Sequence, residues 1–198
     1  MKHTQLIINA FFFIALVFFS SCGDKIKETF YLTDEAKRYQ IDTTITSFNM
    51  VDNYGITEEF YVDESIWYTT HHYFSNYGNG ITDETFGIAY FSSLNDYSFM
   101  FVLRADIEDT DLEVEWNQKD RLVYNFGTQE VESEIMGEVS FYDTLTVKGV
   151  KYENIIEIDY SKVKNKIDTD TPVKTYISGD KGLIKFIRKD NITMERVQ

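Results

Sequence analysis

The sequence predicts an all-β, mainly antiparallel domain, a sandwich or an open or half barrel. One short N-terminal helix precedes the strands, behind a cleaved signal helix. Three observations carry this expectation. Runs rich in aromatic and β-branched residues recur about every 10–12 residues with turn residues between them, the spacing of sandwiches and barrels. Period-two alternation is clear, as where Leu112, Val114 and Trp116 interleave with Glu113 and Glu115. No long helical pattern alternates with the strand runs, which disfavours a parallel α/β sheet.

In chain order, the first element is a signal. Lys2 precedes an apolar run, Leu6–Phe19, interrupted by Asn9, and small Ser20 and Ser21 lead into Cys22-Gly23-Asp24. A charged start, a short apolar core and small residues before a cleavage point make a secretory signal. Ser21 and Cys22 flank the expected cleavage site, and Cys22 sits where a lipobox places its lipid-bearing thiol. Phe19 stands where the lipobox pattern usually has Leu. Three other readings compete: a plain cleaved signal, a spanning helix and a buried helix. Leu6–Phe19 is shorter than the roughly 20 apolar residues a span needs. A helix apolar all round would have to be buried on every side. Cys22 is the only cysteine, so an intrachain disulfide is excluded and its position favours modification. The only prosthetic group expected is the covalent diacylglyceryl and N-acyl lipid on Cys22. Each buried methylene of such chains contributes about 0.8 kcal/mol, and more than one chain gives stable anchoring.

Residues 1–21 are thus the signal peptide, 22–29 a lipidated tether, and 30–198 one β-rich domain. Thr33 is suited to cap a short helix with Asp34 and Glu35 in its first turn and Lys37 and Arg38 near its end. Strands follow over Ile45–Val51, Ile56–Val62, with Ile56, Phe60 and Val62 on one face, and Ile66–Phe74. A glycine-bearing loop over Asn76–Gly80 leads to a strand with Phe86, Ile88 and Tyr90 on one face. Tyr97–Asp106 is largely apolar on both faces and is expected to be a central strand covered on both sides, or nearly so. Leu112–Trp116 and Leu122–Phe126 form a half-exposed hairpin. Gly127–Gly137 reads as loop. Val139–Val147 reads as a strand bulged at Asp143-Thr144. In Val150–Tyr160, Val150, Tyr152, Ile156, Ile158 and Tyr160 are expected to face one way. A polar loop ends at Pro172, a hairpin spans Val173–Arg188, and Asn191–Val197 adds an edge strand.

The segments Phe141–Val147, Gly149–Ile155 and Tyr176–Phe186, with the Ser-Cys-Gly-Asp-Lys start, resemble the ending and beginning of uncharacterised outer-membrane lipoproteins of the Bacteroidota. The resemblance covers about 50 residues besides the signal, and its motifs are loose. It implies an outer-membrane location in the cell envelope and a β-rich fold, and no activity. Read physically, Gly149 and Gly182 supply turn conformations that a Cβ resists, and Tyr152, Leu183 and Phe186 belong to the core.

Composition narrows the partners. The chain carries 33 acidic against 19 basic side chains, a net charge of −14. Nucleic-acid binders show basic patches, so no nucleic-acid partner is expected, and attachment to membrane falls to the lipid. The 14 Tyr, 16 Phe and 2 Trp exclude a disordered chain, which is poor in aromatics.

Candidate chemistry is sparse. His71 and His72 are neighbours on a strand and point to opposite faces, so they do not chelate one ion together, and no metal is expected. Glu108, Asp109 and Asp111 carry oxygens suited to calcium, yet the glycine of a calcium loop is missing. They read as an acidic hairpin loop, and Asp168 and Asp170 are weaker still. No Gly-x-Ser-x-Gly elbow occurs, and no glycine-rich phosphate loop. The Asn191-Ile192-Thr193 sequon carries no meaning in a bacterium. The chain is therefore read as non-enzymatic, an envelope lipoprotein serving as a binding or structural module for a protein or apolar ligand. The alternatives are a carrier of lipid or another apolar ligand, with aromatic side chains lining an open barrel, and a hydrolase or other enzyme whose site residues are scattered along the chain.

Overall fold

The computed structural model describes residues 25–62, 67–74, 79–94, 97–106, 109–132, 137–161 and 171–197, with backbone alone for 25–28, 67–74 and 79–82. The signal, Ser21 and Cys22 lie outside the described residues, as does Glu108. The chain forms two compact units. The smaller comprises Met1–Thr29 and His72–Thr82, and the larger Phe30–His71 and Asp83–Gln198.

The elements in order are β1 (Lys25–Phe30), α1 (Asp34–Lys37), β2 (Ser47–Val51), β3 (Thr57–Val62), β4 (Trp67–Phe74), β5 (Asn79–Ser92), β6 (Ser98–Ala105) and β7 (Thr110–Trp116). Then come β8 (Asp120–Asn125), β9 (Glu130–Val131), β10 (Glu138–Val147), β11 (Val150–Asp159), β12 (Lys174–Ser178), β13 (Gly182–Ile187) and β14 (Thr193–Val197). All-β, antiparallel architecture is thus confirmed, with one short helix. The sheet runs β10-β11-β12-β13-β14-β2-β3-β5-β6-β7-β8-β9, and β1 and β4 pair with β5 off that path.

In the larger unit this path curls into a nearly closed barrel. Its two ends approach where Phe141 on β10 meets Tyr124 on β8 and Phe126 just beyond it, ring centroids 5.4 and 5.7 Å apart. Helix α1 begins as expected: the Thr33 hydroxyl accepts from the Ala36 N–H, satisfying a donor the first turn leaves orphaned. Leu32, Ala36, Tyr39 and Ile41 enter the core, and Tyr39 lies against Phe126 and Phe141 at the seam.

The interior is filled with rings. Trp116 contacts Phe99 at 4.9 Å and Phe186 at 5.1 Å, and Phe186 in turn meets Phe60 and Tyr97. These residues come from β3, β6, β7 and β13 and the start of the β6 segment, so rings meet across the barrel. Trp116, Phe99, Phe60 and Phe186 are fully buried. Full burial of one such side chain stabilises by about 1.5–3 kcal/mol, and a well-placed ring pair adds about 0.5–1.5 kcal/mol. The indole N–H is satisfied by the Thr175 hydroxyl on β12 at 3.1 Å.

Five sequence expectations change. Tyr97–Asp106 is fully covered on one face and only in part on the other, where Val102 is buried but Ser98 and Met100 are half-buried and Arg104 is exposed. In β3 the inward partner of Phe60 is Glu58, which meets the Ser92 hydroxyl, and Ile56 is exposed in the preceding turn. Gly127–Gly137 contains the two-residue β9, paired to β8. The β10–β11 register runs unshifted past Asp143-Thr144, so no bulge lies there. Irregularity falls instead at Asn154, with φ 50°, and between Tyr176 and Ile177 on β12. Beside Asn154 both Ile155 and Ile156 are buried, Ile155 with Tyr152 in a second cluster and Ile156 in the main core.

The fifth change is topological. β14 is no edge strand: it pairs with β13 on one side and with β2 on the other, Arg196 opposite Met50. The last strand thereby joins the start of the domain to its end.

Phe186→Ala is expected to lower unfolding free energy by about 3–5 kcal/mol, the cost of deleting a large buried side chain and leaving a cavity. Tyr142→Ala, at a half-exposed outward position, is expected to stay within about 0.5 kcal/mol of wild type. Urea titrations of the two variants check this contrast.

Candidate functional site

The alternation of β14 places Met194 and Arg196 inward and Thr193, Glu195 and Val197 outward. Met194 is an ordinary core residue. Arg196 is a guanidinium in the same row as Met50, only 8 % exposed. One of its terminal nitrogens donates to the Lys181 carbonyl, and its carbon lies 4.1 Å from the Phe48 ring centroid. No described carboxylate lies within ion-pair distance of it. Burial pushes its pKa down, opposed by the nearby Tyr90 and Tyr152 hydroxyls and by Asp180. Arginine remains charged all the same. A buried charge without a counter-ion costs several kcal/mol. Stacking on a ring returns up to about 2 kcal/mol, so Phe48 and the Lys181 carbonyl offset that cost in part.

Arg196 lines an open groove of about 390 Å³. Phe48 and Val197 form part of its wall from β2 and β14, Val150 and Tyr152 from β11, and Lys181 from the β12–β13 turn. Each wall has a local cause. Phe48 is held by a stacked contact with Phe60 and an edge contact with Tyr90. Lys148 and Gly149, at φ 49° and 81°, make the two-residue turn that delivers Val150 opposite Val147. Gly182, at φ 74°, leaves room for the Tyr90 hydroxyl where a Cβ would collide with it.

Ion pairs tie these walls together on the outer face. Glu195 accepts from Lys185 at 2.8 Å and lies 3.5 Å from Lys148 at the hairpin turn. Burial raises the Glu195 carboxyl, but the two ammonium groups outweigh it and hold the group below the ordinary carboxylate range. Beside the groove, Lys181 and Asp180 are 3.6 Å apart and both well exposed. Asp180 also accepts from the Ser178 hydroxyl at 2.5 Å.

The residues singled out in the sequence lie elsewhere. Asp109 accepts from the Thr110 N–H, and Asp111 accepts from Asn125 at 3.0 Å. Burial raises the Asp111 carboxyl, partly countered by Asn125. No group of metal-binding side chains converges among the described residues. His71 and His72 lie on β4, where side chains are outside the described set. The aromatic residues of Tyr97–Ala105 pack against neighbouring rings and do not face a space. Among the described residues no helix is long and apolar enough to cross a membrane.

Neither a protein-family model, nor a curated protein, nor a solved structure matches this chain.

Sequence reasoning missed Arg196. Its one signal was phase: Met194 and Arg196 share a strand face, so an inward Met implies an inward Arg. Treating Asn191–Val197 as an edge strand concealed it.

Acid is expected to loosen this corner. The folded Glu195 pKa lies below its unfolded value of about 4.3. Its contribution is therefore fully present above that pH and is lost as pH falls through the folded value. Unfolding titrations between pH 7 and 3 should show a smaller acid loss of stability for Glu195→Gln than for wild type.

Proposed function

We propose that this protein is a lipid-anchored lipoprotein of the bacterial cell envelope, at the outer membrane, whose β domain is a binding module and not an enzyme. The anchor reading rests on the Leu6–Phe19 run and Ser20-Ser21-Cys22, with only Gly23 and Asp24 between Cys22 and β1 to separate the domain from the bilayer. The binding reading rests on one observation. The barrel interior is filled with packed rings, while an open groove beside it combines aromatic walls with a buried cation. Small-molecule sites have this character: a concave, mostly apolar surface with a few placed polar groups. The alternative of an apolar carrier draws less support, because the rings that would line its cavity contact one another.

Two experiments test the reading. Cys22→Ala is expected to abolish globomycin-sensitive processing and membrane retention; a variant processed and retained as wild type removes the anchor. Val150→Trp fills the groove from an incompletely buried position. Mass spectrometry of protein isolated from its own membranes is expected to find a small molecule on wild type and none on Val150→Trp. An empty wild type, or the same molecule on both, counts against the module.

A further inference from the structure

The chemistry of the groove narrows its ligand, given the binding reading above. We propose that it holds a small organic anion, a carboxylate or phosphate monoester on a ring or short apolar body, with Arg196 as the anion's partner. A guanidinium presents five N–H donors in a fork that matches carboxylate and phosphate oxygens. In Arg196 one nitrogen is engaged by the Lys181 carbonyl. The other nitrogens have no described hydrogen-bond partner, and the residue lines the groove.

The surroundings favour an anion over any other occupant. The chain is strongly acidic, at −14, yet the groove is lined by Arg196 and Lys181 with no carboxylate side chain among its described lining residues. Asp180, the nearest candidate for internal neutralisation, is exposed and already engaged by Ser178 and Lys181. Ser47 and Asn49, which flank Phe48 on β2, complete the lining and carry no charge. Phe48, Val150, Tyr152 and Val197 offer the apolar surface for the rest of the molecule. The volume, about 390 Å³, is at the small end of ligand sites, which span about 300–1,000 Å³. That suits one ring or a short chain better than a whole diacyl lipid. The site is also preorganised: Phe48 is pinned by Phe60 and Tyr90, so little ordering is left for the ligand to impose.

The test is calorimetric titration of the full chain, purified in non-ionic detergent, with phenylacetate, phenyl phosphate and benzyl alcohol. At least one of the two anions is expected to bind with a sub-millimolar Kd, and which one does so separates a carboxylate from a phosphate ligand. Benzyl alcohol, of similar body without charge, is expected to bind at least about tenfold more weakly. Arg196→Lys keeps the charge but loses the fork and is expected to weaken the anion about tenfold or more. Lys181→Glu, on an exposed side chain, does not threaten the fold and is expected to weaken it several-fold. Anions that bind no tighter than benzyl alcohol overturn the anion proposal and leave a binding module standing. So does unchanged anion affinity in folded Arg196→Lys, or in Lys181→Glu should the first variant not fold. If none of the three probes binds, the anion proposal falls, and the binding module falls with it only where Val150→Trp also leaves the co-purifying molecules unchanged.

Discussion

The contact of Trp116 with Phe186 organises the larger unit. Antiparallel neighbours are joined by main-chain hydrogen bonds, but nothing in a ladder makes a sheet curl back on itself. β7 and β13 are well separated along the sheet path, and their rings meet at 5.1 Å. That meeting excludes water from the interior and draws opposite walls together. The indole must also lose its hydration, and Thr175 replaces the lost partner. Since a buried donor left unpaired costs about 1–3 kcal/mol, this hydroxyl also restricts which ring orientation the core accepts. Phe99, Phe60 and Tyr97 then pack around the pair.

Filling the interior has a consequence for function. With the centre occupied by side chains, space for a ligand survives at the rim, where β2, β14, the start of β11 and the β12–β13 turn come together. The rim is shaped by backbone devices more than by packing. Lys148 and Gly149 turn one hairpin, Gly182 admits the Tyr90 hydroxyl, and Asn154 interrupts β11 so that Tyr152 and Ile155 join a separate cluster. Glu195, on the opposite face of β14 from Arg196, binds Lys185 and Lys148. One strand thus braces the groove outside and supplies its cation inside.

Much of the architecture was legible in the residues. Alternation placed Phe86, Ile88, Tyr90, Leu112, Val114 and Trp116 in the core, and all are buried. Thr33 capped its helix as its side chain and position suggest. Legibility failed where a polar residue occupies an inward slot. Glu58 and Arg196 sit in phase with Phe60 and Met194, but charge argues for solvent, and phase alone does not say which face is covered. It failed again at Asp143-Thr144, because polar residues break an apolar pattern without breaking a register. The candidate site was almost wholly hidden: its lining comes from positions 47–49, 150–152, 181 and 196–197, each unremarked by any motif.

By itself, the sequence determined the strand-rich class, the turns at Gly149 and Gly182, the one helix cap and the acidic surface. All of these depend on local chemistry or on composition. Tertiary structure decided that β14 lies between β13 and β2, that the aromatic residues fill the barrel, and that Arg196 faces a groove. Those outcomes depend on which strands pair across more than a hundred residues, as Val51 does with Glu195. Period two tells which side chains share a face. Only closure of the sheet tells which face is inside, and so whether a charge on it meets water or a ligand.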